Sequence, residues 1–496
     1  MRVFNLAETI DGALARQRRA LLILAVWATL AGVALAFVGQ YSVSLLFAIL
    51  AGICAALLYF ARQETALTGV IVVVVIFVDF YQIVGLPLRE PVVGIALAAL
   101  LIGALFLTQS DARPWSPVSG RGFWALTLAL AGLAVARGSI TQTGFYFLTV
   151  FVGPLLMYIL GAQVARTPTR LKHLAIFMSA VAVFIAVHSI IQGVTGVFLF
   201  ATLRQEDYLG SVSGFHLAGL SIQRAGSFLE NPDWNGAYLA FSFFPLAGLF
   251  LMARQTWTRI LSGVGACLVL IALLFTFTTA SFLSLAIGIA LLLWRVVPRR
   301  LLRRTLIGLG VAMLAIGVVF RNQVRALALH ATANREFTLR LGAWQTAINV
   351  IKARPLTGVG LSPSIYIVAA ERYRAHWQTR PLAHPHNSYL ELAAFAGIPV
   401  LLAFLALLVT ALRNTARQWR SAPASIKPLV GSIFISLVVL SVNSLAINGW
   451  TLAPMAMIAW LLAGAASRRF RLEHQVAGAP DSTSAAREGA LAAPAQ

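Results

Sequence analysis

Two histidines separated by one proline, in Pro381-Leu382-Ala383-His384-Pro385-His386-Asn387-Ser388-Tyr389-Leu390-Glu391, are the residues of this chain best suited by type and spacing to move a proton. Ser388 and Glu391 stand three apart, the spacing of a capping box in which a hydroxyl and a carboxylate each satisfy a backbone N–H, so a helix is expected to begin here. His386 then lies just outside a helix N-terminus, where partial positive charge disfavours imidazolium and suits an anion. A histidine held neutral beside an anion site is a candidate general base. The competing reading is a histidine that hydrogen-bonds within a loop turn.

The elements around this motif carry arginines. Residues 321–380 form the one long polar stretch, and 335–353 has the spacing of a helix, with Leu341, Trp344, Ile348 and Ile351 on one apolar face. Arg340 sits one turn before Trp344, within reach of a cation–π contact. Arg354-Pro355 should stop that helix, Gly358-Val359-Gly360 should turn the chain, and Tyr366 to Trp377 reads as a second helix. Further upstream, Asn231-Pro232-Asp233 signals a turn into a helix, with Arg224 and Asp233 at the start of an apolar run. A capped helix with an interfacial Trp234 explains all of this stretch except Arg224.

Composition decides the setting. With 59% hydrophobic and 11% charged residues and a mean hydropathy of +0.84, the chain is unsuited to water and is expected to be an all-α polytopic membrane protein. Apolar runs fall at 20–38, 43–61, 66–86, 91–108, 122–136, 144–161, 172–192, 235–253, 259–277, 281–297, 305–320, 389–412, 428–447 and 450–466. This makes about fourteen transmembrane helices, twelve at the fewest, the pair within 259–297 being divided only by Thr276 to Ser281. Ala34-Leu35-Ala36 mimics a signal-peptide cleavage site, but the run is long and another follows, so a retained first helix is expected.

The net charge of +22 does not point to nucleic acid, because the arginines cluster between apolar runs as the positive-inside rule requires. Arg299, Arg300, Arg303 and Arg304 make one such cluster, whereas the short outer loops hold only Arg89, Arg137, Arg204 and Arg224. The resulting organisation is a cytoplasmic N-terminus (1–19), helices one to eleven (20–320, with an outer loop at 193–234), a large, partly helical outer-face loop (321–388), helices twelve to fourteen (389–466) and a disordered cytoplasmic tail (467–496). The large loop holds nine basic residues against the charge bias, which suggests that they hold something anionic. Cys54 and Cys267 lie singly in apolar runs and support neither a disulfide framework nor a cysteine metal site.

Taken together, Arg224-x-Gly-x-Phe with Asn231-Pro232, Arg340-x-x-x-Trp344, Pro355-Leu356-x-Gly358-Val359-Gly360 and His386-Asn387-x-Tyr389-Leu390 ending at Gly397 resemble the O-antigen ligase and polymerase superfamily, over roughly Phe215 to Leu412. The resemblance implies transfer of a glycan from a polyprenyl (undecaprenyl) diphosphate donor to an acceptor hydroxyl on the outer face of the bacterial inner membrane. It implies His386 as the base, with Arg224 and Arg340 holding the diphosphate. Many relatives carry Ser-Arg-Gly at a short outer turn where this chain has Thr278-Thr279-Ala280-Ser281-Phe282. The missing charge must come from Arg224, Arg372, Arg374 or Arg380, with His384 as a lesser neighbour of the base, or the donor is handled differently.

The residue inventory suits such a reaction. A sugar diphosphate carries its own leaving group, so one base and several cations suffice. Single displacement inverts the anomeric centre, whereas retention would need a carboxylate nucleophile, for which Glu206, Asp207, Glu230, Asp233, Glu336 and Glu371 are the outer-side candidates and none sits in a motif that demands it. No Asp-x-Asp or His-x-x-x-His pair suggests a metal, and no cofactor is expected. The acceptor, a glycolipid or another lipid-linked glycan, is not legible, so ligase, repeat-unit polymerase and protein O-oligosaccharyltransferase stay open. A transporter using Asp79, His188 and Asn443 is the alternative from another class.

Overall fold

The computed structural model describes residues 64–77, 90–107, 115, 118–135, 140–196, 215–217, 220–229, 231–296, 335–378 and 382–467. The runs expected at 20–38, 43–61 and 305–320, and the tail beyond residue 467, lie outside the described residues. In chain order the helices are α1 (Glu64–Phe77), α2 (Glu90–Leu107), α3 (Arg121–Val135), α4 (Ile140–Phe147), α5 (Gly153–Val164), α6 (Pro168–Thr195), α7 (Pro232–Met252), α8 (Thr256–Leu274) and α9 (Thr279–Val296). They continue with α10 (Arg335–Ala353), α11 (Pro363–Ala370), α12 (Ser388–Ala396), α13 (Ile398–Ser421), α14 (Lys427–Asn443) and α15 (Ala453–Ala466).

Among the described residues, five helical stretches are long and apolar enough to cross a membrane: Thr143–Val164, α6, α7, α8 and α13. Shorter apolar helices lie within α1, α2, α3, α9, α14 and α15. The chain is thus a helical membrane protein. Among the described residues one feature departs from an all-α fold: β1 (Phe215–Leu217) and β2 (Leu220–Ile222) pair antiparallel, with Phe215 opposite Ile222.

Glycines set the closest packing. A Cβ on Gly161 of α5 would stand 2.0 Å from the Leu461 carbonyl oxygen of α15, and one on Gly464 of α15 would stand 2.0 Å from that of Tyr158. Such backbone-to-backbone approach is how small residues bind membrane helices together where no hydrophobic drive exists. Between α7 and α14 the contact is polar as well, with the Ser436 hydroxyl donating to the Phe241 carbonyl at 2.7 Å. α4 passes into α5 through a π turn, Leu148–Val152. Pro154 explains it: without an N–H it cannot bond the Val150 carbonyl, and the wider turn relieves the clash.

Three expectations are corrected. The run 389–412 is not one span, because Gly397 (φ +94°) breaks it into α12 and α13. The loop ahead of it is wedged into this break: Ile398 N–H donates to the Pro355 carbonyl at 2.7 Å, and Val359 and Gly360 N–H donate to the last carbonyls of α12, on Ala394 and Phe395, each at 3.0 Å. The second correction concerns α10, whose buried residues are Gly342, Ala343, Thr346, Ala347 and Val350, while Leu341 of the expected apolar face is 40% exposed. Small residues let α10 lie close to the rest of the loop, and side-chain hydrophobicity alone does not reveal that preference. The second loop helix is also shorter than Tyr366 to Trp377, since α11 ends at Ala370 and a 3-10 turn follows.

Candidate active site

Asp233 opens α7, where Asn231 caps the helix by accepting from Asp233 N–H at 2.8 Å and Pro232 takes a position that needs no N–H. A carboxylate in the first turn suits the positive end of the helix dipole. Asp233 is 7% exposed and its two oxygens are divided between two arginines. Arg224 Nη2 donates to Oδ1 at 2.8 Å, and Arg340 Nη2 forms a short charge-assisted hydrogen bond to Oδ2. Arg224, in the loop before α7, and Arg340, on α10, are therefore held within one carboxylate's width of each other although 116 residues apart.

The Thr276–Thr278 turn between α8 and α9 completes this cluster. Arg224 Nε donates to the Thr276 carbonyl at 3.1 Å, and the Thr278 hydroxyl contacts Asp233 Oδ1 at 3.2 Å. This is the turn at which the sequence lacks an arginine, and the Arg224 guanidinium lies on it. Behind it, Asn235 Nδ2 donates to Ser189 Oγ and to the Ala225 carbonyl, both at 2.9 Å, which ties the Arg224 loop to α6 and α7.

His384 and His386 face one another with ring centroids 4.5 Å apart, and Trp234, the residue after Asp233, lies 6.5 Å from the His384 ring. Trp234 Nε1 donates to Asn448 Oδ1 at 2.9 Å, which holds the indole in place. Burial pushes His386 down to about 3, with the neighbouring His384 and the Arg340 charge adding to the effect and Asp233 opposing it. His386 is thus within the electrostatic reach of both members of the Arg340–Asp233 pair. Burial alone lowers His384 to about 4. Both imidazoles are neutral at neutral pH, and Nδ1 of each is buried without a hydrogen-bond partner.

Backbone strain converges on the same place. Among the described residues the non-glycine residues with positive φ are Ser227 (49°), Phe277 (52°) and His386 (50°). They belong to the three loops that bring Arg224, the Thr278 turn and the histidines together. Left-handed backbone costs about 1–3 kcal/mol at such residues and persists only where the surroundings enforce it.

The helix expected at Ser388 begins there, but its cap differs from expectation. Asn387 is the capping residue, its side chain accepting from the N–H groups of Tyr389 and Leu390 at 2.9 and 3.0 Å. Ser388 Oγ instead accepts from Trp450 N–H at 3.0 Å, and Glu391 accepts from the Tyr146 hydroxyl at 2.6 Å. Asn387 Nδ2 also donates to the Leu445 carbonyl at 2.8 Å. The capping box fails because both of its side chains find distant partners, Ser388 in the turn between α14 and α15 and Glu391 on α4, and these anchor the end of α12 next to His386. Arg340, likewise, is directed to Asp233.

The remaining expected residues are less involved. Arg372 and Arg374 are exposed on the turn after α11, where Arg374 pairs with Glu371 at 3.0 Å and donates to the Gln378 carbonyl. That turn is fastened to α10 through Thr346, which donates to Gln378 Oε1 at 2.7 Å and accepts from Ala375 N–H at 3.0 Å. Arg380 lies outside the described residues. Asp233 is the residue whose importance the sequence did not show, because its partners are far away in the chain; the Asn-Pro before it marks only the helix start. Among the described residues no group of three His, Cys, Asp or Glu side chains is arranged to hold a metal ion.

The fold and this cluster define a multi-pass helical membrane protein with a cationic, histidine-bearing site built from loops at one end of its helices. Residues 264–405 match the family model described as O-antigen ligase, a match that supports kinship with the O-antigen ligase and polymerase superfamily. The match includes Arg340, His384 and His386, whereas Arg224 and Asp233 precede it. The family implies a membrane enzyme of the glycosyltransferase kind, acting between a lipid-linked glycan donor and a glycan or lipid acceptor. No curated protein matches the chain.

Proposed function

We propose that this protein transfers a glycan from a polyprenyl diphosphate to an acceptor hydroxyl, with inversion and without a metal ion, as an O-antigen ligase does. The observation that carries the reading is the Arg224–Asp233–Arg340 cluster within electrostatic reach of a buried, neutral His386. The two guanidiniums take the donor's diphosphate and strengthen their hold as charge develops on the departing oxygen. His386 takes the proton of the acceptor hydroxyl as that oxygen attacks the anomeric carbon, and the diphosphate leaves with the electron pair of the broken bond. The Arg340 charge helps to hold His386 weakly basic. An anion bound by the arginines offsets that charge, so the base strengthens when donor is present.

This reading places the site on the outer face, the chain termini inside and the full complement of helices near fourteen, on the charge alternation of the sequence. The Thr278 turn supports Arg224 as the substitute for the absent turn arginine, ahead of Arg372 and Arg374.

The experiment is turnover of a polyprenyl-diphosphate glycan by purified protein with a chelator present throughout. Wild-type protein is expected to turn over, with inversion at the transferred sugar. His386→Ala is expected to lose about 10²–10⁴ in rate and His384→Ala less. Activity that appears only with added divalent metal, or an unimpaired His386→Ala variant, sinks the proposal.

A further inference from the structure

Three helices that support the candidate site, α6, α7 and α8, enclose a second feature at their opposite ends. A cavity of about 810 Å³ lies between the start of α6, the end of α7 and the start of α8, with Ser425 and Ile426 on its rim. Leu249, which lines it, follows Asp233 by 16 residues on the same helix, roughly 24 Å at the α-helical rise. The cavity is thus separate from the arginine cluster, and its size is that of a small-molecule site.

Its lining changes character along the helix axes. Lys172 and Arg254 stand exposed at the outer end; further in come Ile176 and Val183 on α6, and Leu249 and Leu246 on α7. Among the described residues no Asp or Glu lines the cavity. Glu64, on the helix α1 that packs against α6, is taken by Arg170 at 3.0 Å. Among the apolar residues, between Ile176 and Val183 on α6, sits Ser179, 5% exposed, whose hydroxyl has no hydrogen-bond partner. Other helix hydroxyls here bond the carbonyl four residues back, as Ser189 does to Ile185 and Ser262 to Thr258, each at 2.7 Å. An unbonded buried hydroxyl facing a cavity calls for a polar partner from a ligand.

We propose that this cavity binds an anionic phospholipid of the leaflet opposite the candidate active site. Its phosphate lies between Lys172 and Arg254, an ester oxygen accepts from Ser179, and an acyl chain runs along Leu246 and Leu249. Basic pockets between membrane helices take phospholipid head groups in this way, and the absence of a lining carboxylate selects negative charge.

The test is native mass spectrometry of the full chain released from nanodiscs containing equal phosphatidylglycerol and phosphatidylethanolamine. Phosphatidylglycerol is expected to be retained in preference. Lys172→Ala with Arg254→Ala should weaken that retention about fivefold per cation removed. Arg413→Ala with Arg417→Ala, exposed cations of α13 that do not line the cavity, should leave it unchanged. Ala180→Phe, which fills the cavity with every charge in place, should abolish it, with the thermal unfolding midpoint checking that the variant is folded. Equal retention of the two lipids, equal loss in the Arg413 and Arg417 variant, or displacement of lipid by inorganic phosphate alone would overturn the proposal. The last result would indicate a soluble-anion site instead.

Discussion

Arg340 and Asp233 are 107 residues apart in sequence and share a charge-assisted hydrogen bond in a site that leaves Asp233 only 7% exposed. The pair joins the helix of the large loop to the first turn of α7. Asp233→Ala leaves two guanidiniums, 12% and 20% exposed, without their acceptor, and should destabilise the protein by about 1–3 kcal/mol. Asp233→Asn keeps the shape but removes the charge that supports His386 basicity. Its turnover should fall while KM for the donor does not rise, because the arginines lose a competitor for the anion. A higher KM with unchanged kcat would show that Asp233 itself contacts the donor.

Arginine and lysine are not equivalent at such a site. Lysine keeps the charge but loses the planar fork that spans Asp233 and the Thr276 carbonyl at Arg224. Arg224→Lys and Arg340→Lys should each retain part of the activity, with a loss of about tenfold, against about 10²–10³ for alanine. Wild-type turnover in both lysine variants would leave the arginines purely structural.

Acid should weaken this site. His384 and His386 are lowered to about 4 and about 3 from an ordinary 6.5, so as pH falls the unfolded chain binds protons first. Their contribution to stability is complete above about pH 6.5 and declines as pH drops through the window between about 6.5 and about 3. Thermal unfolding in detergent across that range should show it, and His384→Gln with His386→Gln should flatten the dependence. In the wild type the kcat/KM plateau should extend well below pH 6.5, since that profile reports the free enzyme's base. An acid limb centred near 6.5 would mean that His386 is solvated in the free enzyme.

Gly397 has φ +94°, and a Cβ there would lie 2.3 Å from the Leu356 carbonyl oxygen. Gly397→Ala should cost at least about 2 kcal/mol and release the loop that braces the end of α12. Gly122, in α3, has nothing within 4 Å of an added Cβ, so Gly122→Ala should be neutral or slightly stabilising. Circular dichroism melts of the two variants separate a site-specific requirement from a general intolerance of alanine.

Orientation is testable without substrate. In a background with Cys54 and Cys267 replaced, cysteine at Arg372 should react with an impermeant thiol reagent in intact cells. Cysteine at Arg417, exposed near the other end of α13, should react only after lysis. The reverse pattern would put the candidate site on the cytoplasmic side.

The chain alone determined that this is a helical membrane protein, because runs of apolar residues of bilayer length have one stable form in lipid. It also determined where α8 and α9 part, where α10 stops at Arg354-Pro355 and where α12 begins, since proline, glycine and capping residues act on their own neighbours. Local patterns misjudged what depends on partners from elsewhere. Ser388 and Glu391 have capping-box spacing but bond to Trp450 and Tyr146, while the buried face of α10 consists of small residues that only the neighbouring elements select. Arg224, Arg340 and His386 were recognisable by type and motif, yet Asp233, which gathers both arginines, was one carboxylate among several. Its role depends on loops that meet only when α6 to α10 and α12 are packed, and the electrostatics of a shared carboxylate arise from proximity in space, of which spacing along the chain gives no sign.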